Sequence, residues 1–372
     1  MSAQPLLTIA VARERRPGER RVALVPADVA RLKERFQILV ERGAGRESGF
    51  ADEDYRHAGA TVATSRDISV KADVILAVRA PEDEIELRRD TILISLGAYD
   101  EDVAARLRSS AVLHLALERL PRTTRAQAMD VLSSQASVAG YAAVLEGARE
   151  LGIMLPMMTT AAGVIKPANV VALGAGVAGL QALATARRLG AQVHAFDVRA
   201  AAREQVESVG AKFIAIDADQ REDTGTGGYA RQQSGDEQLQ LRRDLTPHLS
   251  RMDLIISTAQ IPGRTAPLLM DEDTLRALRP GTVIVDLAVE TGGNCVFSRP
   301  DAVVVMHGVR IIAPTNLPSY AAADASRLFS ANLRNLLTLL QGPDGRLDLE
   351  RTDPITLALT QDLAAKSVPA AV

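Results

Sequence analysis

Asn169-Val-Val-Ala-Leu-Gly-Ala-Gly-Val-Ala-Gly-Leu-Gln-Ala-Leu-Ala-Thr-Ala-Arg-Arg-Leu-Gly-Ala-Gln-Val-His-Ala-Phe-Asp197 decides the fold of this 372-residue chain. Val170 to Leu173 is a short apolar run that enters Gly174-x-Gly176-x-x-Gly179, and an Ala- and Leu-rich segment follows to Leu189. A second apolar run ends on Asp197, 18 residues after Gly179. Strand, tight turn, helix, strand, acid is the pattern of a dinucleotide-binding βαβ unit. Gly174 lets the chain turn sharply, Gly176 has no side chain to hold off a pyrophosphate, and Gly179 lets helix and strand pack closely. The helix N-terminus, with Val177 and Ala178, offers unpaired N–H groups to the phosphates. Asp197 is suited to accept hydrogen bonds from adenosine ribose hydroxyls and to repel a 2′-phosphate, which favours NAD(H) over NADP(H). Val198 follows it, and Arg199 is a candidate to pair with such a phosphate.

Working outward, the length predicts two domains, each large enough for its own core. Apolar residues are 47% and charged residues 24%, as expected for a soluble globular protein, and a net charge of −3 gives no nucleic-acid or anionic-membrane surface. The one cysteine, Cys295, excludes an internal disulfide and fits a reducing compartment. Five scattered histidines offer no metal-ligand spacing, so no metal site is expected. No signal peptide is read, and no uncharged apolar run reaches the ~18 residues a bilayer span needs.

Leu6 to Ala12 reads as the first strand and leads into Arg13-Glu-Arg-Arg-Pro-Gly-Glu-Arg-Arg21, with five arginines in nine residues. Such a loop is either a solvated turn or an anion or partner contact at the carboxyl end of a parallel strand. Ala27–Phe36 has helical spacing, Ile38–Val40 reads as a strand, and further strands are predicted at Asp73–Val78, Thr91–Leu96 and Ala111–Ala116. Alternating strand and helix argues for a parallel sheet covered on both faces. The predicted class is therefore α/β, with two Rossmann-like parallel-sheet domains separated by a cleft.

Between the last of these strands and a helix predicted over Val138–Leu151 lies Arg122-Thr-Thr-Arg-Ala-Gln127-Ala-Met-Asp130-Val-Leu-Ser133-Ser-Gln135. Its polar residues break the clean stripe of a surface helix. On chemistry alone it is either a linker that caps the helix through Ser133 or Ser134, or a source of amide, carboxylate and hydroxyl groups for a nicotinamide. Past Asp197 come a helix over Arg203–Gly210 and a strand over Phe213–Ile216. The polar, glycine-bearing run from Asp217 to Ser234, which contains Gly228 and Tyr229, is either a disordered excursion or a lid. Strands at Leu254–Ser257, Thr282–Leu287 and Ile311–Ala313 end in loops on the ligand side, two of which carry Ala259 and Glu290. Ser319 or Asp324 is a candidate cap for a helix with the stripe Ala325, Leu328, Phe329, Leu333, Leu336, Leu337, Leu340. That helix is expected to return to the first domain and make it discontinuous: 1–133 plus 320–372, around a second domain of 134–319. The tail from Gly342 reads as loosely held.

With these segments in view, the chain from Arg13 to about Leu340 closely resembles the NAD(H)-binding alpha subunits of the proton-translocating transhydrogenase family. The signatures are Glu14-Arg-Arg-Pro-Gly-Glu19, Arg125-Ala-Gln-Ala-Met-Asp-Val-Leu-Ser-Ser-Gln135, Gly174-Ala-Gly-Val-Ala-Gly179, Phe196-Asp-Val-Arg-Ala200, Glu204-Gln-Val-Glu-Ser208 and Asp286-Leu-Ala-Val-Glu-Thr-Gly-Gly-Asn-Cys295. The resemblance implies that Arg122, Gln127, Asp130 and Ser133 hold the nicotinamide and its ribose beside NADP(H) on a partner subunit. It implies that Asp197 takes the adenosine ribose, and that Gly228 and Tyr229 belong to a mobile loop. Hydride would pass from NADH to NADP, coupled to proton movement through separate membrane-spanning and NADP(H)-binding subunits. The resemblance further implies a homodimer, cytoplasmic and peripheral on the inner face of the cytoplasmic membrane.

Alanine dehydrogenase shares this family and is the main competing resemblance. Its pattern is an Arg, a Lys, a His and an Asp; Arg21 matches the first, while Arg79, Ser95 and Glu290 stand at the other three. Amino-acid oxidation needs a titratable group near neutral pH, which arginine is not and which serine is not unaided. Hydride exchange between two nicotinamides needs held rings and excluded water instead. A third reading is a NAD-sensing module without chemistry.

Overall fold

The computed structural model describes residues 6–81, 87–110, 112–216, 235–261, 263–349 and 353–360. Gly228 and Tyr229 lie outside the described residues. The chain divides into two compact units, Met1–Gln135 with Pro318–Val372, and Ala136–Leu317.

In the first unit the chain runs β1 (Thr8–Val11), α1 (Pro26–Leu32), β2 (Gln37–Glu41), α2 (Asp52–Ala58), β3 (Thr61–Ala63), α3 (Ser65–Lys71), β4 (Val74–Arg79), β5 (Ile92–Leu96), α4 (Glu101–Ser109) and β6 (Leu113–Ala116). The six strands are all parallel, in the order β3-β2-β1-β4-β5-β6. That is the doubly wound order, with its switch point between β1 and β4. Side-chain caps begin two of these helices: Thr64 and Asp67 form a reciprocal capping box on α3, and Asp100 accepts from Val103 N on α4.

Helix α5 (Val131–Glu150) contains the boundary between the units. It starts seven residues earlier than predicted. Neither Ser133 nor Ser134 caps it. Asp130 does, accepting from the Ser133 N–H at 2.9 Å and from its hydroxyl at 2.6 Å. A carboxylate at the helix start also suits the macrodipole.

The second unit contains β7 (Met158–Thr160), β8 (Gly163–Ile165), β9 (Asn169–Leu173), α6 (Val177–Arg188), β10 (Gln192–Phe196), α7 (Ala202–Ser208), β11 (Lys212–Phe213), α8 (Gly235–Leu249), β12 (Leu254–Ser257), α9 (Glu272–Ala277), β13 (Val283–Asp286), β14 (Val303–Met306) and β15 (Val309–Ile312). Its main sheet has the order β11-β10-β9-β12-β13-β15-β14, parallel except for the β14–β15 pair. The sequence reading missed that hairpin. Its two-residue turn, His307-Gly308, has φ of 51° and 78°, and positive φ at both positions fits the twist of flanking antiparallel strands. The β7–β8 hairpin was also unforeseen. The strand predicted over Phe213–Ile216 shrinks to Lys212–Phe213 at the sheet edge.

The chain returns to the first unit through α10 (Ala322–Leu340), which buries Ala325, Phe329, Leu333, Leu336, Leu337 and Leu340 in that unit's core. Leu328 of the predicted stripe is instead exposed. The Ser326 and Ser330 hydroxyls accept from Val22 N and Val25 N at 3.0 and 3.1 Å, satisfying a buried segment that joins no sheet. Neither Ser319 nor Asp324 caps α10. A short 3₁₀ turn, Leu317–Ala321, precedes it, and the N-cap is Ala321. The tail is not loosely held as far as it is described. α11 (Pro354–Leu359) buries Ile355 and Leu359 in the first unit's core, and Asp353 caps it while pairing with Arg125.

Candidate functional site

In the second unit the predicted glycine turn lies at the carboxyl end of β9, at the switch point of the sheet order between β9 and β12. This is where doubly wound sheets hold their ligands. Gly174 has φ of +95°, and a Cβ there would lie 2.9 Å from Thr258 Oγ1. Gly179 is tighter, since its Cβ would sit 1.9 Å from the Gly174 carbonyl oxygen. Gly176 differs from both: it is the exposed N-cap of α6, and an added Cβ would meet nothing within 4 Å. Two glycines thus close the turn, and the third leaves open space in front of it. Val177 and Ala178 occupy the first turn of α6, whose first N–H groups have no intrahelical acceptor and whose N-cap supplies none from a side chain. The cradle fits a pyrophosphate.

Asp197 is buried at the end of β10 and ties the turn to the strand. Its Oδ2 accepts from Ala175 N at 2.8 Å and from Arg199 Nη2 at 2.8 Å. Its Oδ1 accepts from Arg199 N and Arg199 Nε, both at 2.9 Å. Val198, between them, is half-buried.

Three residues behind the turn went unrecognised in the sequence. The Thr258 hydroxyl is 3.2 Å from the Leu173 carbonyl and 3.0 Å from that of Gly174. Asn294 is fully buried: its Oδ1 accepts from Ser257 Oγ and Ala259 N, and its Nδ2 donates to the carbonyls of Ala259 and Pro267. Asp286, also fully buried, accepts from Ala288 N, Asn294 N, Cys295 N and Ser298 Oγ. Ala259 therefore has its loop fixed by Asn294, and Asn294 by Asp286. The legible signal was a carboxylate closing a buried strand before Gly292-Gly293-Asn294. Glu290 sits exposed on a 3₁₀ turn of the same loop. A fourth missed position is Gly140 of α5, where a Cβ would approach the Ala178 carbonyl oxygen to 2.1 Å. Any side chain there would push α5 off the start of α6.

In the first unit Arg122, Gln127, Asp130 and Ser133 fall on one loop and the first turn of α5. Arg122 and Gln127 are exposed, and Asp130 and Ser133 are bonded to each other. The loop is anchored by Ala126 and Met129 in the core and by Asn332, whose Nδ2 donates to the Ala128 carbonyl at 2.9 Å.

Beside the carboxyl ends of β1 and β4 lies a buried charged cluster. Glu19 receives the Arg21 guanidinium through Nε at 2.7 Å and Nη2 at 2.6 Å, and accepts from Ser319 at 2.9 Å. Arg21 Nη1 donates to Gln135 Oε1 at 2.9 Å. Burial alone would raise the Glu19 carboxyl; the charge-assisted bonds from Arg21 outweigh it and hold the group down at about 2. Glu14 is the opposite case. Burial, with the negative charge of Glu19 beside it, pushes it up to about 8, although it accepts from Val78 N at 2.6 Å. Of the positions compared with alanine dehydrogenase, Arg21 is committed to Glu19 and Gln135, and Ser95 lies 3.0 Å from His114 Nε2. Among the described residues no group of three or more His, Cys, Asp or Glu is arranged to hold a metal ion.

Two doubly wound units, one carrying a glycine turn tied to the strand-end carboxylate of Asp197, define the class as an α/β architecture of the dinucleotide-binding type. Residues 10–139 match the N-terminal domain of the alanine dehydrogenase/PNT family and residues 143–362 its C-terminal domain. An NAD(P) transhydrogenase alpha-subunit polypeptide from Rhodospirillum rubrum is 46% identical over 344 residues, covering 89% of this chain and 90% of that one. The crystal structure of a transhydrogenase from Sinorhizobium meliloti superposes with a TM-score of 0.84 at 42% identity, covering 94% of this chain and 97% of that one. An alanine dehydrogenase from Mycolicibacterium smegmatis is 30% identical over 304 residues, covering 79% and 76%. The chain belongs to the alanine dehydrogenase/PNT family.

Proposed function

We propose that this chain is the NAD(H)-binding alpha subunit of a proton-translocating NAD(P) transhydrogenase. The carrying observation is the loop of the first unit, which presents Arg122 and Gln127 to solvent on a backbone pinned by Met129, Asn332 and the Asp130–Ser133 bond. That is a positioning set rather than an acid–base set. The 46% identity to a transhydrogenase alpha subunit supports the same reading.

In this reading residues 134–319 form the NAD(H)-binding domain, and residues 1–133 with 320–372 form the other. The turn at Gly174, Gly176 and Gly179 receives the pyrophosphate on the N–H groups of Val177 and Ala178, and Asp197 takes the adenosine ribose. Val198, Ala259 and Glu290 complete the walls, with Gly228 and Tyr229 assigned by resemblance alone. Bound NADH supplies a hydride for the nicotinamide of NADP+ on a partner subunit. Arg122, Gln127, Asp130 and Ser133 orient the dihydronicotinamide and its ribose and keep water away, which is the work direct transfer between rings requires. No described helix is long and apolar enough to cross a membrane, so this reading assigns proton movement and NADP(H) binding to other subunits, with this chain peripheral on the cytoplasmic face.

A homodimer belongs to the same reading. Every residue of β7 and β8 is exposed, Val164 at 64%, as is Met157 just before β7, and a lone two-stranded hairpin is marginal in water. Packing against a second copy would relieve both.

An alanine dehydrogenase activity has one observation in its favour, the imidazole of His114 beside Ser95. Against it, Arg21, the match to the arginine of the alanine dehydrogenase pattern, is spent on Glu19 and Gln135.

The test mixes the purified chain with a transhydrogenase NADP(H)-binding subunit and follows reduction of an NAD analogue by NADH in the presence of NADP(H). Rapid exchange, cut at least tenfold in Gln127→Asn with NADH affinity retained, is expected. NADH binding without exchange across several partners would refute the transhydrogenase reading, and NADH oxidation dependent on pyruvate and ammonia would establish the alternative.

A further inference from the structure

Resting on the reading that the second unit binds NAD(H), the geometry points to Arg199 as the residue that sets its preference between NAD(H) and NADP(H). An ionised carboxylate has about four lone-pair sites for hydrogen bonds. Asp197 receives four: Ala175 N and Arg199 Nη2 on Oδ2, and Arg199 N and Arg199 Nε on Oδ1, all between 2.8 and 2.9 Å. A ribose diol that donates to Asp197 therefore has no acceptor site until a present donor leaves.

The four donors are not equally free to go. Ala175 N belongs to the glycine turn and Arg199 N to the backbone that follows β10. The Arg199 side chain, 23% exposed, reaches the carboxylate through rotatable bonds. Arg199 is thus the donor that yields. In the resting protein it fills the ribose subsite with the cation of its own ion pair. NAD(H) binding breaks one or both side-chain bonds, so Arg199 weakens NAD(H) affinity by competing for Asp197.

The same pair has the reverse effect on a 2′-phosphorylated nucleotide. A bare Asp197 would repel the phosphate. A carboxylate neutralised by Arg199 repels it less, and a guanidinium released from Asp197 remains within its own side-chain length of the 2′ position, where planar bidentate pairing with phosphate is favourable. Arg199 therefore narrows the discrimination that Asp197 alone would impose.

The experiment titrates NADH and NADPH into the purified chain by nucleotide fluorescence and by calorimetry, for wild type, Arg199→Met and Asp197→Asn, each checked by circular dichroism and thermal melting. The methionine keeps much of the apolar stem and removes the donors. Arg199→Met is expected to tighten NADH, weaken NADPH and raise the NADH/NADPH affinity ratio at least tenfold, while Asp197→Asn lowers it. Should Arg199→Met not fold, Arg199→Gln, which retains a single donor group, is expected to raise the ratio by a smaller factor. A ratio that stays the same or falls in the folded Arg199 variant overturns the inference while NADH binding by wild type leaves the nucleotide-site reading intact. Wild type that binds neither nucleotide overturns both.

Discussion

Replacing Gly176 with alanine adds one methyl group at the open side of the nucleotide turn, and its consequences separate a fold requirement from a ligand requirement. The backbone there is extended, with φ −79° and ψ −169°, so alanine enters without strain. The added Cβ meets nothing within 4 Å. The nucleotide-free protein should therefore lose only the modest N-cap preference of glycine over alanine, about 0.5 kcal/mol, or a melting shift of about 1–2 °C. In the proposed site the pyrophosphate approaches the α6 N–H groups through that same space. Forcing a methylene into a packed contact costs about 1–3 kcal/mol, so NADH should bind roughly 5- to 150-fold more weakly. Gly179→Ala is the control with the opposite profile, because its Cβ would lie 1.9 Å from the Gly174 carbonyl oxygen and backbone must move. It should lower the melting temperature by several degrees whether or not nucleotide is present. Thermal melting and NADH calorimetry on both variants decide the matter. Gly176→Ala that melts like wild type and binds NADH equally well would show that no phosphate approaches there, and the turn would lose its assigned role.

Glu14 and Glu19 make stability depend on pH with opposite signs. Glu14 rises from 4.5 to about 8 on folding, so its stabilising share is complete below pH 4.5 and is lost as pH climbs through about 8. Glu19 falls to about 2, so its share is complete above pH 4.5 and disappears as pH drops through about 2. Thermal melts of Glu14→Gln should lack the alkaline loss that wild type shows between roughly pH 5 and pH 8, a loss limited to about 1.4 kcal/mol per pH unit; parallel profiles for the two proteins would reject the assignment. The exposed β7–β8 hairpin predicts that Val164→Glu dissociates a dimer into single chains in sedimentation, with an unchanged thermal melt of each chain. A wild type that sediments as one chain, or a variant that stays dimeric, removes the hairpin from the interface.

Much of the fold was legible because its signals are periodic and local. Buried parallel strands read as apolar runs, so β9, β10, β12 and β13 lie within a residue or so of their predicted positions. The amphipathic stripe on α10 was visible in its spacing and is buried nearly as read. What failed was set by contacts that periodicity does not show, some of them distant. The start of α5 was misjudged because Asp130, inside an apparent linker, is the residue that caps it, and Ser319 looked like a cap while its hydroxyl in fact serves Glu19, 300 residues away in sequence. The tail composition suggested loose chain, yet two apolar side chains, Ile355 and Leu359, suffice to dock α11.

At the site the same division holds with a sharper consequence. Glycine roles are written in the sequence because they concern the turn's own backbone. The accessibility of Asp197 is not, because it depends on which of several nearby donors reaches the carboxylate first. Sequence spacing offered Arg199 as an independent phosphate ligand, whereas the bonds make it part of the acid it was weighed against. Asp286 and Asn294 illustrate the same limit from the other side, since neither needs to touch a ligand to matter. Asn294 holds the Ala259 loop by four hydrogen bonds, to Ser257, Ala259 and Pro267, and Asp286 fixes the Asn294 loop by four more, to Ala288, Asn294, Cys295 and Ser298. Buried networks of this kind fail as a unit when one member is left unsatisfied. A motif therefore locates a nucleotide turn, while the hydrogen-bonded residues behind it determine how rigidly the turn is presented and what it must release before anything binds.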